Sequence, residues 1–295
     1  MKSKTGIILL ITLLIIICIA LVSFMINVIN GKSFRMGFKF GYKLSEELII
    51  DDEYEDIFEK IDITSEAGEI YVKKSNNEKV KVIIYGEKEN TKVEKENNEL
   101  IIVSKDKKRH IFSFNNKISK IEVYIPENYE KLIKIKNNYG DIEVDKFANA
   151  NIEIEEDCGD VSVKEGRKVS IKNNYGDIKL EKALDVSIKQ SAGDVKVGEV
   201  DDINVENNYG DIKISNVNNS LKVEEDCGKV EIENINIKEN SFIENNLGDI
   251  KIGSTNEIYI DASIDLGDIK INQNYPKSEI ILKLKNNCGD IKVDN

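Results

Sequence analysis

The sequence predicts an all-β fold: a β-solenoid of about ten two-stranded coils with an inserted β-hairpin region, preceded by one N-terminal transmembrane helix. Three observations predict it. A Gly-Asp step followed by aliphatic-x-aliphatic recurs along the chain, aliphatic residues fill fixed columns around that glycine, and an uncharged stretch of 23 residues stands near the N-terminus.

The N-terminal element comes first. Residues 7–29 carry no charge and, as a helix, would span ~34 Å, enough to cross a bilayer with some tilt. Lys2 and Lys4 precede the run, but it is longer than the apolar region of a signal peptide, about 7–15 residues, and no small-x-small site follows it. Cys18 has Ile17 before it, where a lipidation site would carry small residues. The reading is an uncleaved single-pass anchor at the cell membrane, after a short tail of residues 1–6. Positive charge is nearly balanced across the run, with Lys32, Arg35, Lys39 and Lys43 beyond it, so orientation stays open on charge alone.

Residues 30–56 are expected to be a juxtamembrane linker. Phe34, Met36, Phe38, Phe40, Tyr42 and Leu44 alternate with polar or small residues, among them Arg35, Lys39 and Lys43. This reads either as an interfacial segment or as a first strand of the soluble fold. Residues 46–56 then turn acidic and read as a solvated connector.

The repeat follows in 57–295. Its glycines are Gly68, Gly140, Gly159, Gly176, Gly193, Gly210, Gly228, Gly248, Gly267 and Gly289. From Gly140 onward the spacings are 19, 17, 17, 17, 18, 20, 19 and 22, the mark of a solenoid. Four columns, at seven and five before the glycine and two and four after it, are Val, Ile or Leu in 38 of 40 positions; the exceptions are Ser241 and Ala262. Polar residues alternate with them, as Glu143, Lys179 and Lys213 do, so each segment is a strand with one face buried. Equivalent residues should stack ~4.8 Å apart, coil upon coil in chain order. At the corner, Asn138, Asp157, Asn174 and their equivalents are expected to bond their own backbone, while glycine supplies positive φ.

Three cysteines, Cys158, Cys227 and Cys288, share the column before the glycine and lie four and three coils apart by sequence order. That is ~19 and ~14 Å, beyond the ~7 Å reach of a disulfide, so three half-buried unpaired thiols are expected, filling the place of Ala192. Asp141, Asp160, Asp177, Asp194, Asp211, Asp249, Asp268 and Asp290 follow the glycine. A like-charged ladder invites a divalent cation, but Lys229 in mid-ladder favours the other reading, a turn residue accepting backbone N–H bonds. Asn pairs such as Asn137-Asn138 and Asn207-Asn208 read as amide ladders that satisfy each other. No metal site, cofactor site or catalytic residue is assigned. The single histidine, His110, sets aside histidine catalysis, and a net charge of −12 sets aside nucleic acid as a partner.

Residues 73–132 interrupt the period with short alternating runs, ended by Pro126, and read as hairpin strands that cover the N-terminal edge of the stack. The chain stops at Asn295 without a capping helix, so the C-terminal edge is expected to pair with a second copy or another partner.

The strand Ile121-Glu122-Val123-Tyr124-Ile125-Pro126, then Ile133-Lys134-Ile135 and Gly140-Asp141-Ile142-Glu143-Val144, resembles the bacterial putative-adhesin domain family of unknown function. The family's opening strand and glycine-acid pair are matched by Ile61, Ile63, Gly68, Glu69 and Ile70, and the resemblance covers 57–295. It implies a β-solenoid at the bacterial envelope, brings no catalytic residues, and together with the short N-terminal tail favours the large domain outside the cytoplasm. The expected function is a membrane-anchored, non-enzymatic envelope module acting as an adhesin or surface binder, with a surface protein, envelope protein or polysaccharide as ligand. A sensor of envelope stress with a membrane partner, and a carbohydrate-active solenoid enzyme, remain the competing classes.

Overall fold

The computed structural model describes residues 43–86, 88–105 and 117–294. The expected anchor at 7–29, most of the alternating segment after it, and His110 lie outside the described residues, and no described helix is long and apolar enough to cross a membrane. Apart from one 3₁₀ turn at Lys88–Asn90, the regular structure is all β.

Ten glycine corners mark out a β-solenoid of about nine turns. Neighbouring coils pair parallel and in register, so Ile142 lies beside Val161, then Ile178, Val195 and Ile212. All five are buried, and the four stripes expected from the columns form one continuous core. A fifth stripe sits seven residues after the glycine: Phe147, Gly166, Ala183, Val200, Val217 and Ile235. It rounds the coil's second bend, where adjacent exposed residues such as Glu181 and Lys182 break the alternation. Its side chains run from none to phenylalanine, so hydropathy alone hides it.

The coils do not stack in chain order at the far end. Strand Ser241–Leu247, of the Gly248 coil, pairs with Ile281–Cys288, of the Gly289 coil, and that strand pairs in turn with Tyr259–Leu266, of the Gly267 coil. The last coil in sequence is thus inserted beneath the one before it. Gly248 N donates to Cys288 O at 2.9 Å, and Gly289 N donates to Leu266 O at 3.0 Å. The inserted order keeps like with like: buried Asn245 is followed by buried Asn286, and Ile264 falls at the end of that column. It also brings Lys285 to 2.5 Å from Glu244. Chain order would set Ile264 against the Asn245 amide instead. The expected C-terminal edge is therefore interior, since Ile291–Val293 is paired on both sides. The open edge is Tyr259–Leu266 with Ile269–Ile271, paired on one side only among the described residues. Asn274 covers its beginning, donating to Ile260 O and accepting from Ile260 N.

The opposite end is built differently. Glu99–Ser104 and Lys117–Pro126 lie on the first glycine coil as a layer without a corner glycine. Antiparallel strands then cover them: Thr91–Glu96 on the first and Val80–Tyr85 on the second. The acidic stretch read as a connector contributes strand Leu48–Tyr54, antiparallel to Val80–Tyr85. Ile49, Ile50 and Tyr54 pack on the core while Asp51 pairs with Lys81 at 2.8 Å, so the strand anchors through its apolar residues and keeps its consecutive acids exposed. Lys43–Leu44 forms a short parallel pair with Lys117 and Ile118, which agrees with the strand reading at that point. This end presents charged edges that resist further pairing.

Candidate functional site

Among the described residues, the glycine corner gathers the buried polar side chains, the aspartate ladder and an exposed apolar stripe. Gly193 has φ +138°, and a Cβ there would fall on the carbonyl oxygen of Gly176. Gly228 has no such φ, yet a Cβ would strike Gly210 O in the same way. Close approach of successive coils, more than backbone handedness, is what the column shares from Gly140 to Gly289.

Outside the corner, the aspartates form a hydrogen-bonded ladder. Oδ1 of Asp160 accepts from Asp177 N at 2.8 Å, Asp177 from Asp194 N at 3.0 Å, and Asp194 from Asp211 N at 3.1 Å. Lys229 continues the ladder through its backbone N, donating to Asp211 Oδ1, which explains how a lysine fits there. The turn reading of the aspartates accounts for these bonds. Burial, and then the flanking Asp177 and Asp211, push the Asp194 carboxyl above its ordinary range. Among the described residues no cluster of three or more His, Cys, Asp or Glu side chains is placed to hold a metal ion.

Inside the corner runs a buried polar column, three residues before the glycine: Asn137, Glu156, Asn173, Gln190, Asn207, Glu225, Asn245 and Asn286. The amide-to-amide bonding expected of the Asn pairs occurs one column outward, where Asn287 Nδ2 donates to Asn246 Oδ1 at 2.7 Å. The amides of this inner column do not satisfy each other. Their N–H groups go to glycine carbonyls: Asn137 Nδ2 donates to both Gly68 O and Gly140 O at 3.0 Å, and Gln190 Nε2 to Gly176 O at 2.7 Å. The next column outward does not bond its own backbone either. It links coil to coil, as Asn174 Nδ2 does to Asp157 Oδ1 at 2.9 Å.

Two members of the inner column are acids. Glu156 Oε1 accepts from Cys158 N, and Glu225 accepts from Cys227 N and from Asn207 Nδ2. Burial outweighs those bonds and pushes both carboxyls up to about 8. Both lie in the same pentapeptide, Glu-Glu-Asp-Cys-Gly, at 155–159 and 224–228. That duplication was the available signal for a variant corner, and reading columns only for hydrophobicity missed it. Cys158, Cys227 and Cys288 are not joined in disulfides and are half-buried. The inserted coil order brings Cys227 and Cys288 two coils apart rather than three, ~9.6 Å, still beyond disulfide reach.

The outermost column, just before the glycine, is the exposed feature. In spatial order it reads Tyr139, Cys158, Tyr175, Ala192, Tyr209, Cys227, Leu247, Cys288, Leu266. The inserted coil makes large and small alternate along the full stack. Tyr139, Tyr175, Tyr209, Leu247 and Leu266 are all exposed, five of the nine exposed large apolar side chains among the described residues. On the adjoining face, Lys229, Lys251, Lys270 and Lys292 with Asp249, Asp268 and Asp290 line an open cleft of about 270 Å³. Its aspartates are engaged in the backbone ladder, Asp290 N donating to Asp249 Oδ1 and Asp268 N to Asp290 Oδ1.

Two consecutive matches to the model of Toastrack DUF4097 cover residues 58–184 and 181–295. The chain belongs to the Toastrack DUF4097 family. The resemblance read from the Ile121–Pro126 strand and the Gly-Asp repeats is thereby borne out. No curated protein matches the chain. Among solved structures, a putative adhesin from Bacteroides fragilis is similar at 21% identity, over 86% of this chain and 100% of its own, with a TM-score of 0.47. A putative lipid binding protein from Parabacteroides distasonis is similar at 15% identity, over 85% and 100%, with a TM-score of 0.41. A putative cell adhesion protein from Clostridium sporogenes is similar at 16% identity, over 83% and 99%, with a TM-score of 0.24. In this Toastrack DUF4097 chain the two family matches meet within strand Ile178–Ala192, which pairs in register on both sides. The two matches therefore form one uninterrupted stack.

Proposed function

We propose that this protein is a membrane-anchored, non-enzymatic surface-binding module of the bacterial envelope. Residues 7–29 hold it in the membrane and the solenoid stands outside the cytoplasm. The observation that carries the reading is the alternating exposed stripe from Tyr139 to Leu266, set on a stack whose other apolar columns are spent on its own core. Membership of the Toastrack DUF4097 family, which the sequence reading tied to a putative-adhesin domain through its Gly-Asp repeats, supports it. The backbone-to-backbone corner bonds support it too, since a stack cross-linked at every coil holds its surface side chains at fixed spacing. Self-association belongs to the same reading, moved from the C-terminal strand to the open edge at Tyr259–Leu266 and Ile269–Ile271. The test has two arms. A Lys213→Cys variant, at an exposed position, is labelled on intact cells by a membrane-impermeant maleimide if the solenoid is outside. The purified full chain then sediments with envelope fragments. Absence of labelling, with full labelling after lysis, would place the domain inside and end the proposal.

A further inference from the structure

The stripe has a spacing as well as a chemistry. Tyr139, Tyr175 and Tyr209 are 45%, 59% and 57% exposed and stand on alternate coils, two strand spacings or ~9.6 Å apart. Cys158 and Ala192 lie between them and are half-buried, so each ring rises between shallow gaps. On one flank runs the row of Asp157, Asn174 and Asn208, tied in part by the Asn174–Asp157 bond. On the other runs the aspartate ladder. A ligand for this edge needs an apolar face recurring every two strand spacings, hydroxyl groups to meet amides and carboxylates on both sides, and no net negative charge. The aspartate ladder, with Asp157 on the other flank, repels phosphodiester chains, nucleic acids and anionic headgroups.

We infer that the Tyr139–Tyr175–Tyr209 edge is a binding platform for an extended, uncharged 1,4-β-linked glycan, which lies along the stacking axis. In such a polymer each ring is turned over relative to the last, so equivalent C–H faces recur every second sugar, a repeat close to two strand spacings. Each tyrosine ring takes one C–H face, as aromatic rings favour contacts that place partial positive charge over the π-system. The flanking Asx side chains accept and donate to the ring hydroxyls between. The inference rests on the surface-binding reading above and names the substrate class of that same edge.

The experiment uses the purified full chain in detergent, titrated with chitohexaose and cellohexaose, the α-linked isomer maltohexaose, and the corresponding β-linked disaccharides. The expected result is a change in tyrosine fluorescence with one or both β-linked hexamers, weak binding of their disaccharides, and none with maltohexaose. Tyr175→Ala should lose about tenfold in affinity, the worth of one aromatic face, while Tyr175→Phe keeps it. Leu184→Ala, at an exposed position away from the corner, should bind as the parent does. Circular dichroism of each variant reports that the stack is intact. Equal binding of α- and β-linked hexamers, or unchanged binding by the triple Tyr139→Ala, Tyr175→Ala, Tyr209→Ala variant, overturns the inference. So does a stripe-dependent dimer with no glycan binding, which would make a second copy the occupant. Sedimentation with envelope fragments separates this from the broader reading. If the triple variant sediments as the parent does, the glycan platform falls and the surface module stands; if the parent does not sediment, the surface module itself falls.

Discussion

Glu156→Gln converts a buried carboxyl into the amide that the same column already carries at Gln190. The Glu156 side chain is 3% exposed, and burial raises its pKa from an ordinary 4.5 to about 8. Below pH 4.5 both folded and unfolded chains hold the proton, and the acid costs the fold nothing by ionisation. Between pH 4.5 and 8 only the folded chain holds it, so stability falls as pH rises; above 8 both are ionised and the loss is complete. At 1.36 kcal/mol per unit the loss is about 3 kcal/mol at pH 7 and about 5 kcal/mol above pH 8. Glutamine has no proton to lose, and its Nε2 can reach the preceding glycine carbonyl as Gln190 reaches Gly176 O. Urea denaturation followed by far-ultraviolet circular dichroism at pH 5, 7 and 8.5 measures the difference directly. The variant should match the parent near pH 5 and pull ahead by several kcal/mol at pH 8.5. A difference that stays flat across that range, or a variant weaker than the parent at pH 8.5, would refute the reasoning. Comparison with the parent removes the contribution of every other titrating group.

Three further outcomes follow from the corner and the edge. Gly193→Ala places a methyl on Gly176 O at a φ that alanine disfavours, and should cost about 3 kcal/mol or more in the same urea assay. Asp177→Asn retains the Oδ1 that accepts from Asp194 N and should be near neutral, whereas Asp177→Ala should cost about 1 kcal/mol; added Ca²⁺ should leave the melting temperature of the parent unchanged. Ile269→Pro removes an outward N–H from the open edge without touching Asp268 O, which accepts from Ile291 N. Light scattering should show a concentration-dependent dimer for the parent and a monomer for this variant, and a parent monomeric at all concentrations would remove self-association.

The stripes at Ile142, Ile178 and Ile212 were legible because a coil that buries nothing alone must repeat its aliphatics in step with its neighbours. The positive φ at Gly193 was legible from the recurring Asx-x-Gly corner, whereas the close approach of Gly176 O was not read from it. The inserted coil was not legible from spacing, because intervals of 19 and 22 residues suit either order. Its signal lay in the polar columns, where Asn245 and Asn286 match and Ile264 does not. Glu156 and Glu225 were hidden because acids are usually solvated, and in so acidic a chain two more carry no compositional weight. The acidic strand Leu48–Tyr54 misled for a similar reason, since the consecutive acids Asp51, Asp52 and Glu53 break its alternation.

Coil order is the most direct test, because the alternating stripe, the continuous amide column and the open edge all depend on it. In a Cys227→Ala background, Leu247→Cys places a thiol on the coil directly beside Cys288. Mild oxidation and peptide mass mapping should then recover a link between positions 247 and 288, within the ~7 Å that a disulfide spans. If the coils stack in chain order, those positions stand two strand spacings apart and do not join. Linkage would then appear between positions 247 and 266 in a Leu247→Cys, Leu266→Cys variant that also carries Cys227→Ala and Cys288→Ala, and the account would fall.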